Sequence, residues 1–228
     1  MDRLFRSVVW REDPLRLLAR MPTWLYSRWV QATYPFAAFG RNVQIHYTWD
    51  FRRYAAHRVR LGSFVSIGKD VHFGTYCPQG EKGDPMIVID DGSVLMGGVQ
   101  LSARNQIHIE HDVIVSASVL IMDHNHAYED VTLPIKEQGI TAGGRVLIES
   151  GCWIGRGAAI VCNEGELVLG RNCVVAANAL VTRSFPPYSV IVGNPARLAR
   201  QYDPVRKIWV GAAGRPMVTE PAVADREQ

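Results

Sequence analysis

Between Leu61 and Val181 an apolar residue returns every six positions in separate trains. Leu61, Ile67 and Phe73 form the first, each followed by Gly. Ile109, Val115 and Ile121 form the second. Ile148, Ile154 and Ile160 form the third, which Leu169, Val175 and Val181 resume after a three-residue slip. Neither the period of a helix nor the alternation of a simple strand produces this spacing. A short repeat held over most of a chain specifies stacked coils, each stable only against its neighbours. The expected fold class is therefore an all-β solenoid.

The position four after each train leader is small or apolar: Val65, Val71, Cys77, Val113, Val119, Cys152, Ala158, Cys173 and Ala179. It precedes the next leader by two, so on extended backbone both point inward. Three of the four cysteines thereby gain a packing role, and no CxxC pair signals zinc or redox chemistry. The 228 residues are 47% hydrophobic and 21% charged, enough apolar material for a core. A net charge of +3, without basic runs interleaved with aromatics, argues against a nucleic-acid partner. Met1 to Glu12 has mixed charge and no apolar core, so a signal peptide is not expected, and a reduced, cytoplasmic protein is.

The first forty residues lack the six-residue period. Asp13-Pro14 followed by Leu15, Leu17, Leu18 and Met21 predicts a short helix, and Pro22-Thr23 can start a second. Residues 1–40 read first as a helical cap over the open end of the solenoid. The competing reading is an interfacial anchor of Trp24, Trp29, Tyr34 and Phe36 beside Arg20 and Arg28, giving weak peripheral association at the inner face of a membrane. Residues 41–200 form the repeat domain. After Pro195 the chain reads as a basic helical turn, and 201–228 as a loose tail. Two loops leave the solenoid, at Tyr76–Pro85 and at His126–Gly144.

The second loop begins at Ile121-Met-Asp-His-Asn-His126. With Ile121 inward, alternation places Asn125 inward and His124 and His126 outward, at the loop's root. A histidine there can take a proton from an alcohol near neutral pH. Downstream come Trp153-Ile-Gly155, Val181-Thr-Arg183, and Phe185-Pro-Pro-Tyr-Ser-Val-Ile-Val-Gly-Asn-Pro-Ala-Arg197. In this order they resemble the hexapeptide-repeat acyltransferases of the left-handed β-helix family. Within that family they are similar to the galactoside, maltose, streptogramin and polysaccharide O-acetyltransferase branch. The resemblance covers about residues 58 to 202.

That resemblance implies a left-handed triangular prism, a homotrimer, and active sites between prisms. The donor would be acetyl-CoA and the acceptor a hydroxyl of a sugar or glycan, in exopolysaccharide, capsule or lipopolysaccharide synthesis. His126 would be the general base, with a backbone N–H near Trp153 to Gly155 at the oxyanion. Trp153, Ala159 and Ala177 would line the pantetheine arm. Thr182 and Arg183 would meet its lower end and the nucleotide. Arg197 and Arg200, sharing a side of a helical turn, would meet the phosphates. Asp123 and His124 would orient His126 or touch the acceptor, with Asn105 and Arg104 beside them. No metal is expected.

Two departures stand out. Cys162-Asn-Glu-Gly-Glu-Leu-Val168 is three residues longer than the family's Pro-Gly turn, and Ala176-Ala-Asn178 replaces Gly-Ala-Gly. The rival readings are an antibiotic or amino-sugar acetyltransferase, a γ-carbonic-anhydrase-like zinc protein and an inactive scaffold. The zinc reading needs a histidine pair five apart, whereas His124 and His126 are two apart and His108 and His111 three apart.

Overall fold

Each six-residue step is one side of a three-sided coil. The structure, a computed structural model, describes residues 14–47, 53–77, 83–211 and 216–217. The first sheet runs β1 (Ala38–Phe39), β3 (Val59–Leu61), β6 (Ile87–Ile89), β9 (Gln106–Ile109), β12 (Arg145–Ile148), β15 (Glu166–Leu169). The second starts β2 (Gln44–Ile45), β4 (Ser66–Ile67), β7 (Val94–Leu95), β10 (Ile114–Val115), β13 (Trp153–Ile154), β16 (Val174–Val175), β18 (Ser189–Val192). The third runs β5 (His72–Thr75), β8 (Gln100–Ala103), β11 (Leu120–Met122), β14 (Ala159–Val161), β17 (Leu180–Val181). All pairings within these three runs are parallel.

The register explains the period. Ile67, Leu95, Val115, Ile154 and Val175 stack as partners in the second sheet, and Leu101, Ile121, Ile160 and Val181 in the third. Every leader is buried. Burying each contributes roughly 1.5–3 kcal/mol, and each stacks on the leaders of adjacent coils. One train escaped the sequence reading: Ile89, Leu95 and Leu101 keep the same spacing just beyond the first loop. Cys152, Cys162 and Cys173 are buried, and Cys77 is half-buried.

The corners entering the second sheet need a left-handed residue. Asn42, Phe64, Gly92, Asp112, Gly151 and Asn172, each two residues before a strand, have φ between 53° and 73°. Asn, Asp and Gly tolerate this conformation, while Phe is strained there. Asn178, where the resemblance implies glycine, has φ 58° in the turn between the second and third sheets, a conformation Asn tolerates.

The N-terminal segment differs from its expectation. One helix, α1 (Pro14–Thr33), continues through Pro22. It is held by its inner face: Val30 is in the core, and Ser27 Oγ accepts the Ile45 N–H at 2.8 Å. Arg28 Nη2 donates to the Val43 carbonyl at 3.2 Å. The exposed edge of β2 thus finds partners on α1. Sheet pairing begins at Ala38, ahead of the expected limit at 41.

The C-terminal end also needs correction. Arg197 to Tyr202 is not a helical turn but part of β19 (Arg197–Asp203), antiparallel to β18 and to β20 (Ile208–Gly211). A further strand, β21 (Pro216–Met217), pairs with β20. Strand β18 ends the parallel stack, so the chain folds back along its free edge, where the sheet's hydrogen bonds outweigh a helical propensity for seven residues. The start Met1–Glu12, the loop centre at 78–82 and most of the tail beyond Gly211 lie outside the described residues.

Candidate active site

Strand β11 ends at Met122, and there alternation stops. Asp123 and His124 are both buried, at 0% and 3% exposure. This corrects the expectation that His124 faces outward; Asn125 is half-buried and His126 exposed. The cause is the Asp123 carboxylate, which turns inward to collect donors from the preceding coil. Its Oδ1 accepts the Arg104 N–H at 2.7 Å and its Oδ2 the Asn105 N–H at 2.8 Å. His124 Nδ1 lies 2.9 Å from Asp123 Oδ1. Buried and holding donors on both oxygens, Asp123 has the geometry of an orienting residue, the first of its two expected roles. The Tyr76 ring, not singled out by sequence reasoning, stands edge-on to His124 at 4.5 Å between centroids.

The loop is clamped at both roots. Asn125 N–H donates to Thr141 Oγ1 at 3.0 Å, and Thr141 N–H to the Asn125 carbonyl at 2.8 Å. His126 forms an antiparallel bridge with Ile140. Asn105 Nδ2 donates to the carbonyls of Ala142 and Gly144, at 2.9 and 3.0 Å. Asn105 therefore supports the loop, while Arg104 beside it is exposed. The pair Gly143-Gly144 is the sequence signal for this closure: a Cβ on Gly143 would approach the Asp123 carbonyl to 2.5 Å, and one on Gly144 the Cys162 sulfur. The three-residue insertion at Cys162 thus packs on the root of the His126 loop. The distal part of the loop holds a single helical turn, α2 (Ile135–Gln138), and apolar Tyr128, Val131 and Ile135 point into solvent, Val131 at 94% exposure.

The residues expected to hold the donor lie around a different corner. Trp153 is 51% exposed on the outer face of the second sheet, and its Nε1–H donates to Ser116 Oγ at 3.0 Å, so it is not a core tryptophan. Ala177 is exposed at the turn between the second and third sheets, and Ala159 is half-buried on β14. Arg197 and Arg200 share the outer face, though not by a helical turn. They oppose Val192 and Val190 on β18, and a register shift between Val190 and Ile191 absorbs the odd spacing. Arg200 stacks over Trp209 at 5.1 Å. Thr182 and Arg183 are exposed at the end of β17, with Arg183 over Phe185 at 5.3 Å. The oxyanion expectation fails for two donors: the Trp153 N–H is bonded to the Cys173 carbonyl and the Gly155 N–H to that of Val175, at 2.9 and 2.7 Å.

On one chain, then, the His126 loop leaves one edge of the third sheet, and Trp153 and Ala177 sit beyond its opposite edge. The third sheet lies between them, about 10 Å long at the three-residue β11. Among the described residues no group of three or more His, Cys, Asp or Glu side chains is placed to hold a metal ion.

No protein-family model matches the chain. It is 30% identical over 197 residues to a protein of Mycobacterium tuberculosis provisionally named an acetyltransferase, covering 83% of this chain and 57% of that one. It is 26% identical over 154 residues to WbbJ of Escherichia coli, provisionally named a lipopolysaccharide biosynthesis O-acetyl transferase, covering 66% of this chain and 79% of that one. The chain thus spans little more than half the length of the mycobacterial relative. Among solved structures it resembles AntD, an N-acyltransferase from Bacillus cereus in complex with dTDP and coenzyme A. The TM-score is 0.61 at 18% identity, over 78% of this chain and 90% of that one. It also resembles a hexapeptide-repeat acetyltransferase of Vibrio cholerae complexed with acetyl coenzyme A. Here the TM-score is 0.50 at 19% identity, over 77% and 76%. The shared fold is the left-handed β-helix.

Proposed function

We propose that the chain is a member of the hexapeptide-repeat family of left-handed β-helix acyltransferases and transfers an acetyl group from acetyl-CoA to a sugar hydroxyl. The observation that carries this reading is the clamped loop root, which exposes His126 while holding its backbone between two fixed points. The names of the relatives support acetyl transfer, and that of the E. coli relative supports a hydroxyl acceptor in glycan synthesis. The coenzyme A of the two solved neighbours supports the donor.

In this mechanism His126 takes the acceptor's hydroxyl proton as that oxygen attacks the thioester carbonyl. The tetrahedral intermediate collapses, the carbon–sulfur bond breaks, and the imidazolium returns the proton to the coenzyme A thiolate. No covalent acyl-enzyme is needed. Proton transfer by a placed histidine contributes about two to four orders of magnitude in rate. Arg197 and Arg200 supply fixed positive charge to the donor's phosphates.

The site is completed between prisms of a homotrimer. Two observations support this: the donor residues lie on a different side of the coil from the His126 loop, and the apolar loop tip at Tyr128, Val131 and Ile135 has no cover among the described residues. Met96, Ile114 and Val192 are likewise exposed on the second sheet and suit burial against a neighbour. The enzyme works in the cytoplasm, with weak attraction to the membrane's inner face.

Incubating the purified chain with acetyl-CoA and a panel of sugars, amino sugars and glycolipids, followed by mass spectrometry, tests the reading. O-acetylated sugar with free coenzyme A supports it. Acetylation confined to amino groups, or no transfer to any acceptor, contradicts it.

A further inference from the structure

Helix α1 has two faces, and the outer one is inverted for a water-facing surface. Ser27 and Val30 face the solenoid. Met21, Trp24, Leu25 and Trp29, spaced three, four and eight from the first, are each more than half exposed. The stripe continues into an aromatic chain. Tyr47, Tyr26, Trp29, Tyr34, Phe36 and Phe39 follow one another at ring-centroid distances of 5.1 to 6.3 Å. Nothing among the described residues packs on this face of a helix that already caps the solenoid.

The charge of this end is one-sided. Residues 14–47 hold four arginines, Arg16, Arg20, Arg28 and Arg41, and no Asp or Glu. A symmetric contact with a second copy would bring arginine-bearing ends together. An anionic surface complements them. Between α1 and the second sheet lies a cavity of about 310 Å³, lined by Trp24, Arg28, Asn42, Gln44, Phe64 and Ser66. Among the described residues Arg28 uses one donor, to Val43, and its Nε is buried without a partner. Phe64 stands half exposed at the rim with φ 62°, at a corner where five other coils place Asn, Asp or Gly and the last coil places Tyr188.

We propose that this end of the solenoid docks on an anionic phospholipid bilayer. The Met21, Trp24, Leu25 and Trp29 face enters the headgroup boundary, and lipid phosphates sit over the cavity beside Arg28. Tryptophan suits that depth, with an apolar ring and a polar N–H. Among the described residues no helix is long and apolar enough to cross a membrane, so α1 lies on the surface. Docking there would hold the prism beside a lipid-linked acceptor. The proposal deepens the weak membrane attraction given above and does not depend on acetyl transfer.

Sedimentation of the full chain with vesicles tests it. The chain is expected to sediment with phosphatidylglycerol–phosphatidylcholine vesicles and not with pure phosphatidylcholine, and less as salt rises. Trp24→Ser with Leu25→Ser should weaken vesicle binding about tenfold through lost apolar burial. Their unchanged melting temperature and unchanged turnover on a soluble acceptor would separate docking from folding and catalysis. Met21→Ser is a second, milder variant on the same face. Four results would overturn the proposal. They are absent binding to anionic vesicles, equal binding to both vesicle types, variants that bind as tightly as the parent, and variants that instead change the assembly mass. Inorganic phosphate at fixed ionic strength should not displace the chain; displacement would reassign the cavity to a soluble phosphate ligand.

Discussion

Asp123 Oδ1 lies 2.9 Å from His124 Nδ1, with both side chains buried where the chain leaves the third sheet. The carboxylate also collects two backbone N–H groups from Arg104 and Asn105. It therefore ties one coil to the start of the loop that carries His126, two residues on. Asp123→Asn would replace an accepting oxygen by a donating amide facing a donor. The expected cost is about 1–3 kcal/mol of stability. Turnover should fall while the KM values for acetyl-CoA and for the acceptor hold. A rise confined to the acceptor's KM would instead mean that Asp123 touches the acceptor.

His126→Ala should lose roughly two orders of magnitude or more in kcat, the usual scale for a general base. Coenzyme A affinity, by calorimetry, should be unchanged. Near-normal turnover in the purified variant would remove His126 from the mechanism. His124→Ala tests a different property. Its ring is buried against Asp123 and Tyr76, so the main expected effect is a lower melting temperature.

Charge reversal at Arg197 and Arg200 should raise the KM for acetyl-CoA, and more at low salt, where charges are weakly screened. Both face outward from the sheet edge, so the fold should persist. A KM independent of salt in parent and variant would count against phosphate contact.

Glu110 gives a pH-dependent contribution to stability. The Ser150 hydroxyl donates to its Oε2 at 2.6 Å and the Ser150 N–H at 2.9 Å. The hydroxyl is the largest influence holding this carboxyl below its ordinary value; burial opposes it, and the Ser150 N–H and the nearby His108 and His111 assist. The folded state thus binds this proton less readily than the unfolded state. The stabilisation is complete above the ordinary glutamate range and fades as pH falls through the lowered value. Glu110→Gln should lower stability at neutral pH by less than ~1 kcal/mol, since solvent reaches the pair, and the gap in melting temperature should close in acid. A gap that persists unchanged at acid pH would contradict the charge-assisted bond.

The prism was legible because its side chains repeat. Ile109, Val115 and Ile121 state the coil directly, each buried because its neighbours in adjacent coils are too. Handedness was not legible from spacing and came with the family likeness. Alternation misplaced His124 because it holds only on a strand, and β11 ends at Met122, where a buried carboxylate takes over. The helical reading of Arg197 to Arg200 failed for a related reason. Local propensity was outweighed by the free edge of β18, and a bulge still put both arginines on one face. Gly143-Gly144 carried readable information about the loop root, whereas Tyr76 against His124 joins two loops far apart in sequence and leaves no local trace.

Under the proposed function, His126 of one prism works against the Trp153 and Arg197 corner of another. Mixing two inactive variants puts this to the test. His126→Ala and a Trp153→Ala, Arg197→Glu, Arg200→Glu variant are unfolded together, refolded as mixed assemblies, and assayed beside each variant alone. Light scattering should give a trimer mass, and the mixture should regain activity that neither variant has, because some interfaces then pair an intact histidine with an intact donor corner. A monomer mass in an active preparation, or mixed trimers as inactive as their parents, would contradict the shared site.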